Sequence, residues 1–261
     1  MSEEEFPVAI GAGAVAVVYW AAWLRDAGHT SLLVRPAGRL TGLILCLLGG
    51  LGIVFATLLT WADPVVRASP SYILLFLAVA GVALAVATAV AAVLGVSPLD
   101  DAVRRPNPAA AFTTAGVWLG TSLTVAGANV GRGDTIGTTI GPLALGVVAL
   151  LALWAVLAVA TGAIGSVTHD RDVPAGVRQA GLLIAWGLIL GRATAGDWES
   201  VAGTWEDFAN QGWPALVLLA IAIPLEWWLR PRADRPAPRW PARIGPALAY
   251  VLAATSWLAW L

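Results

Sequence analysis

The chain has 261 residues, of which 59% are apolar and 12% charged, with a net charge of −1. Soluble domains carry about 45–50% apolar and about 25% charged residues, so the composition excludes an ordinary soluble protein and predicts an all-α polytopic membrane protein. The near-neutral charge gives no electrostatic case for nucleic acid, and the lipid bilayer is the partner it does imply.

The basic residues are fifteen Arg and no Lys, and Cys46 is the one cysteine. A lone cysteine in an apolar run forms no intramolecular disulfide and says nothing of redox compartment. The start, MSEEEFP, is acidic. A cleavable leader has a basic segment before its apolar core, so Pro7 onward is expected in the mature protein.

In chain order, eight apolar segments approach the roughly 20 helical residues needed to cross about 30 Å of hydrocarbon. They run Pro7–Leu24, Leu40–Trp61, Tyr72–Val96, Ala109–Val130, Ile140–Ile164, Gly176–Ala195, Trp213–Leu229 and Ile244–Leu261. The last two are short, and Trp213, Trp227, Trp228, Trp257 and Trp260 at their ends suit the headgroup boundary. Together they predict one integral membrane domain over 1–261 with eight transmembrane helices.

Cytoplasmic loops accumulate basic side chains. With both termini outside, only Arg67, Arg132 and Arg192 fall on the outer side, and the other arginines gather inside. The expected location is the bacterial inner membrane.

The even-numbered helices then leave the cytoplasm through similar starts, RLTG at Arg39, NPAA at Asn107, RQAG at Arg178 and RIGPA at Arg243. This recurrence predicts a parallel internal repeat of helical hairpins. The competing account is that any such helix begins with a polar anchor followed by small residues.

The most patterned stretch runs from Asn107 to Gly131. Thr113, Gly116, Gly120, Thr124, Gly127 and Gly131 follow at steps of three or four and form one stripe of a helix, on which a neighbouring backbone can approach closely. Asn107, Ala109, Ala110, Gly116 and Gly120 spell N-x-A-A-x5-G-x3-G at the helix start. That motif resembles the YjfL family of bacterial inner-membrane proteins, domain of unknown function 350, over about Tyr72 to Gly196. A later helix of that family tends to open with a second Asn, where this chain has Arg178, Gln179, Ala180 and Gly181. The resemblance implies a multi-helix inner-membrane protein and brings no catalytic residues.

Polar groups at membrane depth are the remaining candidates for function. Asn107 reads either as an N-cap or as a polar element of an inner mouth ringed by Arg39, Arg178 and Arg243. Thr121, Thr124 and Asn129 could line a pathway, and Asn129 could instead cap the helix before Gly131. Arg192 either snorkels towards Asp197 or attracts anions at an outer vestibule. Glu226 precedes Arg230 by four residues, the favourable order for a helical ion pair, and the alternative is a proton carrier.

In the loop before the seventh segment, Trp198, Val201, Trp205 and Phe208 form one face of a short amphipathic helix, with Glu199, Glu206 and Asp207 on the other side. It is read as an in-plane interfacial helix or as an acidic vestibule. Gly11 and Gly13 lack the strand of a dinucleotide fold. His29 and His169 lack any metal-ligand spacing.

No cofactor, metal or catalytic set is therefore expected, and the chain is not read as an enzyme. Two classes of function stand. The polar stripe and the charged mouths favour a channel-like passive permeation protein for ions or small solutes, in a homo-oligomer or alone. The alternative is a non-catalytic membrane scaffold or envelope-maintenance subunit.

Overall fold

The computed structural model describes residues 5–29, 37–132, 136–198, 201–230 and 240–259. Among them the chain is helical throughout, with one isolated bridge, Ala62 to Gly131, and no longer strand. The helices are α1 (Glu5–Gly28), α2 (Ala37–Thr60), α3 (Pro64–Arg67), α4 (Pro70–Leu94), α5 (Pro108–Ala128), α6 (Ile136–Thr161), α7 (Ala163–Thr168), α8 (Val173–Ala193), α9 (Val201–Gly212), α10 (Pro214–Leu229) and α11 (Trp240–Ala259). A π-helical turn, Pro98–Arg104, joins α4 to α5.

Local chemistry sets several boundaries. Pro70, Pro108 and Pro214 open α4, α5 and α10, where a missing N–H is harmless. Gly162 takes a φ of 64°, which ends α6 at Thr161 and restarts the chain as α7, whereas the sequence predicts an unbroken segment to Ile164.

Among the described residues six helices, α1, α2, α4, α5, α6 and α8, are long and apolar enough to cross a membrane, and α9 with α10 makes a seventh if that bent pair is one span. The expected count of eight is thus not reached on length and composition. The sixteen residues of α10 span only about 24 Å, and α11 carries Arg243 and Pro246 in its first half. Apolar patterning cannot tell a short helix, bent by 41° from its predecessor, from a complete crossing. Trp260, placed by the sequence at the boundary, lies outside the described residues.

The eight longer helices of the apolar segments form two layers. In one, α2, α5, α8 and α11 stand side by side in that order; in the other, α1, α4, α6 and α10 do the same, with cross-layer packing of α4 and α6 on α5. The first layer is parallel: Cys46 and Gly50 of α2 meet Ala115 and Ser122 of α5, Ala109, Gly116, Gly120 and Gly127 of α5 meet Gly176, Ala180, Leu183 and Gly191 of α8, and Arg178 and Gly181 of α8 meet Arg243 and Ala247 of α11, each in ascending order.

Three fully buried tryptophans tie the layers together, and each indole N–H has a partner. Trp118 of α5 donates to Thr88 of α4 (2.8 Å), Trp154 of α6 to Gln179 of α8 (3.0 Å) and Trp186 of α8 to the Ala215 carbonyl of α10 (2.9 Å).

The α5–α8 contact is backbone on backbone. A Cβ at Gly116 would overlap Ala180, one at Gly127 would overlap Gly191, and one at Gly187 would overlap Gly120. Gly11 of α1, by contrast, has nothing within 4 Å. Gly127→Val should therefore destabilise the fold by about 1–3 kcal/mol or more, as overpacking does, while Gly11→Val should not. Thermal unfolding of both variants in detergent measures the difference, and equal midpoints would contradict the packing account.

Candidate functional site

Charge buried in an apolar bundle is unfavourable by several kcal/mol unless it is paired and hydrogen-bonded. The bundle contains such charge at one end. Arg178, in the first turns of α8, is 1% exposed, and Glu226 of α10 is 5% exposed. They form a two-pronged pair: Arg178 Nε donates to Glu226 Oε1 and Nη2 to Oε2, both at 2.6 Å. This fork geometry suits guanidinium and carboxylate. Arg178 Nη1 donates to the Arg243 carbonyl of α11 at 3.0 Å. The Arg243 guanidinium in turn pairs with Asp172, the residue before α8.

Two acids and two bases are thus neutralised within one cluster that joins α8, α10 and α11. Three polar atoms beside these groups, Asp172 Oδ2, Arg243 Nε and the Tyr250 hydroxyl, are buried without a hydrogen-bond partner among the described residues.

This geometry corrects the expected pairing of Glu226 with Arg230. Glu226 faces inward, where Arg178 would otherwise be a buried unpaired cation. Arg230 lies beyond the helix end and donates to the Thr161 carbonyl at 3.3 Å, with Asp170 at 4.0 Å. Gln179 continues the polar layer, accepting from Trp154 and donating to the Ala163 carbonyl at 3.2 Å.

Asn107 is the N-cap of α5. Its side-chain oxygen accepts from the Ala109 and Ala110 amides at 3.0 and 3.3 Å, and its amide donates to the Val167 carbonyl at 2.7 Å. Each of these bonds closes locally or onto α7. Of the arginines suggested to ring it, Arg178 and Arg243 join the cluster above, and Arg39 of α2 lines a groove between α2 and α5.

Thr121 and Thr124 are fully buried in the middle of α5. Thr124 donates to the Gly120 carbonyl at 3.0 Å, and the Thr121 hydroxyl has no partner among the described residues. The stripe that contains Thr124 faces α8, with Gly116 and Gly120 against its backbone.

Asn129 is the C-cap of α5, with a φ of −96° and its amide donating to the Val125 carbonyl at 2.7 Å. The left-handed residue there is Gly131, with a φ of 120°. Arg192 is half-buried at the same end, but Asp197 accepts from the Arg132 amide at 2.7 Å and forms no ion pair with it. That bond, with Gly196 to Val130 at 2.9 Å, joins the loops after α5 and α8.

The seven positions therefore do not converge: Arg178 and Glu226 meet, while the others lie along α5 or at the opposite end. Two sequence features were legible but unused. Arg178 and Glu226 are opposite charges in separate apolar segments at the same end, and Gln179 is an uncharged polar residue inside one.

The interfacial segment also differs from expectation. Trp198 is buried ahead of α9, its amide donating to the Arg132 carbonyl at 3.0 Å, and Phe208 packs on the core. Trp205, Glu206 and Asp207 are exposed, and Glu199 lies outside the described residues. Both histidines are held locally, His29 by the Arg25 carbonyl and His169 by Thr168.

The cluster is a closed, charge-neutral clamp. Arg178→Gln or Glu226→Gln alone should destabilise by about 3–5 kcal/mol by leaving one buried charge unpaired, whereas Arg178→Met with Glu226→Leu should cost much less than the sum. A double-mutant cycle on unfolding free energies in detergent measures this coupling, and additive effects would refute it.

The family model described as Domain of Unknown Function (DUF350) matches residues 40–194. No curated protein and no solved structure matches the chain. The matched region begins earlier than the 72–196 read from the motif, and takes in α2 with its contact on α5 as well as the α5–α8 core. Since it covers more than half of the sequence, the chain belongs to the DUF350 family.

Proposed function

We propose that this chain is a non-catalytic scaffold of the bacterial inner membrane. The observation that supports it is the destination of the α5 stripe. Gly116, Gly120 and Gly127 are filled by the α8 backbone, and Thr124 is sealed beneath Gly146 of α6. Helices this close are held by van der Waals contact over their whole length, which favours a rigid platform over a passage.

The paired charges at the Arg178 end support the same reading. An ion-coupled transporter usually keeps an intramembrane acid or base available, whereas here Arg178 and Glu226 occupy one another.

In this reading all eight longer helices cross the bilayer, with both termini outside. The end that carries Arg25, Arg39, Arg104, Arg105, Arg171, Arg178, Arg230 and Arg243 faces the cytoplasm, as the basic-loop rule favours. The reading also includes a parallel repeat of hairpins. Cys46 meets Ala115 and Gly181 meets Ala247, each pair within one residue of equivalence counted from the starts at Arg39, Asn107, Arg178 and Arg243, which supports it, while the α5–α8 pair is shifted by seven, since Gly116 meets Ala180. Self-association into a homo-oligomer belongs to it too, and the mass of the detergent-solubilised particle reads that directly.

One observation favours permeation as a second reading. The hydroxyls of Thr114, Thr121 and Ser122 on α5 are buried without partners among the described residues, and unpaired polar groups at membrane depth are a recurring feature of pathways. Liposome reconstitution separates the two. The scaffold reading expects no ion or small-solute flux from correctly inserted protein and no change on Thr121→Leu or Thr124→Leu. Flux that these substitutions reduce would install permeation in its place.

A further inference from the structure

A groove of about 330 Å3 runs between α2 and α5 at the arginine-rich end of the bundle. Its walls are Gly42 and Leu43 of α2 and Pro108, Phe112 and Ala115 of α5, with Arg39 as the one charged lining residue among the described residues. The groove opens outward. Arg39, Gly42 and Phe112 are exposed, and a Cβ at Gly42 would meet nothing within 4 Å.

The apolar walls lie in the first turns of two membrane-length helices, and Arg39 sits at their outer limit. From Arg39 the groove follows α2 by about one turn, and it follows α5 from Pro108 to Ala115, about 10 Å along the axis. That length suits the upper part of an acyl chain.

Among the described residues no acid compensates the charge at its mouth. At this end Arg25 pairs with Asp26, Arg104 with Asp100, Arg105 with Asp101, Arg178 with Glu226, Arg230 with Asp170 and Arg243 with Asp172. Arg39 and Arg171 have no such acid among the described residues, and of these two Arg39 lines the groove. The amino end of α2, two residues before it, adds partial positive charge. A basic side chain at the rim of an apolar cleft between membrane helices is complementary to a lipid with a negative headgroup.

We infer that the α2–α5 groove is a site for an anionic phospholipid, with one acyl chain between Gly42 and Phe112 and the phosphate against Arg39. The inference is independent of the scaffold reading, because it concerns the outer face of α2 and α5 and not the packed stripe.

Native mass spectrometry of the full chain, titrated with phosphatidylglycerol and with phosphatidylcholine of identical acyl chains, tests it. One arginine at a membrane surface contributes about 1 kcal/mol, so phosphatidylglycerol should be retained about fivefold better. Arg39→Gln should remove that preference while leaving phosphatidylcholine retention unchanged. Gly42→Leu should fill the groove and lower retention of both lipids. Arg104→Gln, whose partner Asp100 lies outside the groove, should change neither.

Three results would overturn the inference: a phosphatidylglycerol preference that survives Arg39→Gln, displacement of the lipid by millimolar inorganic phosphate alone, or a Gly42→Leu effect on particle mass with lipid retention intact. The last would assign the face to a second copy of the chain. If Gly42→Leu does not fold, the Arg39→Gln comparison decides by itself.

Discussion

The approach of α5 to α8 is the constraint on which the remaining structure depends. Along about five turns the two helices touch through backbone atoms, because Gly116, Gly120 and Gly127 on one side and Gly176, Gly187 and Gly191 on the other carry no Cβ to hold them apart. In a bilayer the tails outside are as apolar as the side chains inside, so helix association relies on close contact and polar bonds. Small residues at helical spacing provide the contact. They also impose a parallel register, since Gly116 must face Ala180 while Gly127 faces Gly191.

Once that pair is set, the layers follow. The outer neighbours α2 and α11 extend the parallel row, and the returning helices α1, α4, α6 and α10 must cover its other face because the chain reverses direction at each turn. Glycine seams bring helices of one layer close but leave the interface between layers to be filled. Trp118, Trp154 and Trp186 fill it, and their N–H groups reach across it. A buried indole without an acceptor would leave a donor unsatisfied, at a cost of about 1–3 kcal/mol, so the acceptors on α4, α8 and α10 fix which helices can be opposite. The ionic clamp of Arg178, Glu226, Arg243 and Asp172 does the same for α8, α10 and α11 at the arginine-rich end.

The candidate positions show where sequence reasoning loses resolution. Asn107 was legible as a cap because its partners are its own neighbours, Ala109 and Ala110, and local bonds can be read from local sequence. Glu226 was misassigned for the converse reason. Its partner lies 48 positions away, and the i, i+4 rule that nominated Arg230 applies to exposed helix faces, whereas this glutamate turns into the protein. Thr121 and Thr124 share a helix and a residue type, yet the Thr124 hydroxyl returns to Gly120 and that of Thr121 has no partner among the described residues. That difference depends on which side of α5 each faces within the bundle.

The sequence by itself determined the membrane class, the positions of the helices to within a few residues, the glycine stripe and the family. Each of these depends on composition or on a period of three to four residues, and such patterns are carried by contiguous chain. Only the tertiary structure decided that the stripe meets α8 instead of a water-filled lumen, that α9 and α10 bend against each other, and that Arg178 takes Glu226 as its partner. Those outcomes are set by which distant helices stand side by side, and in lipid that choice is made by surface fit and by the need to pair each buried charge, neither of which has a local period to read.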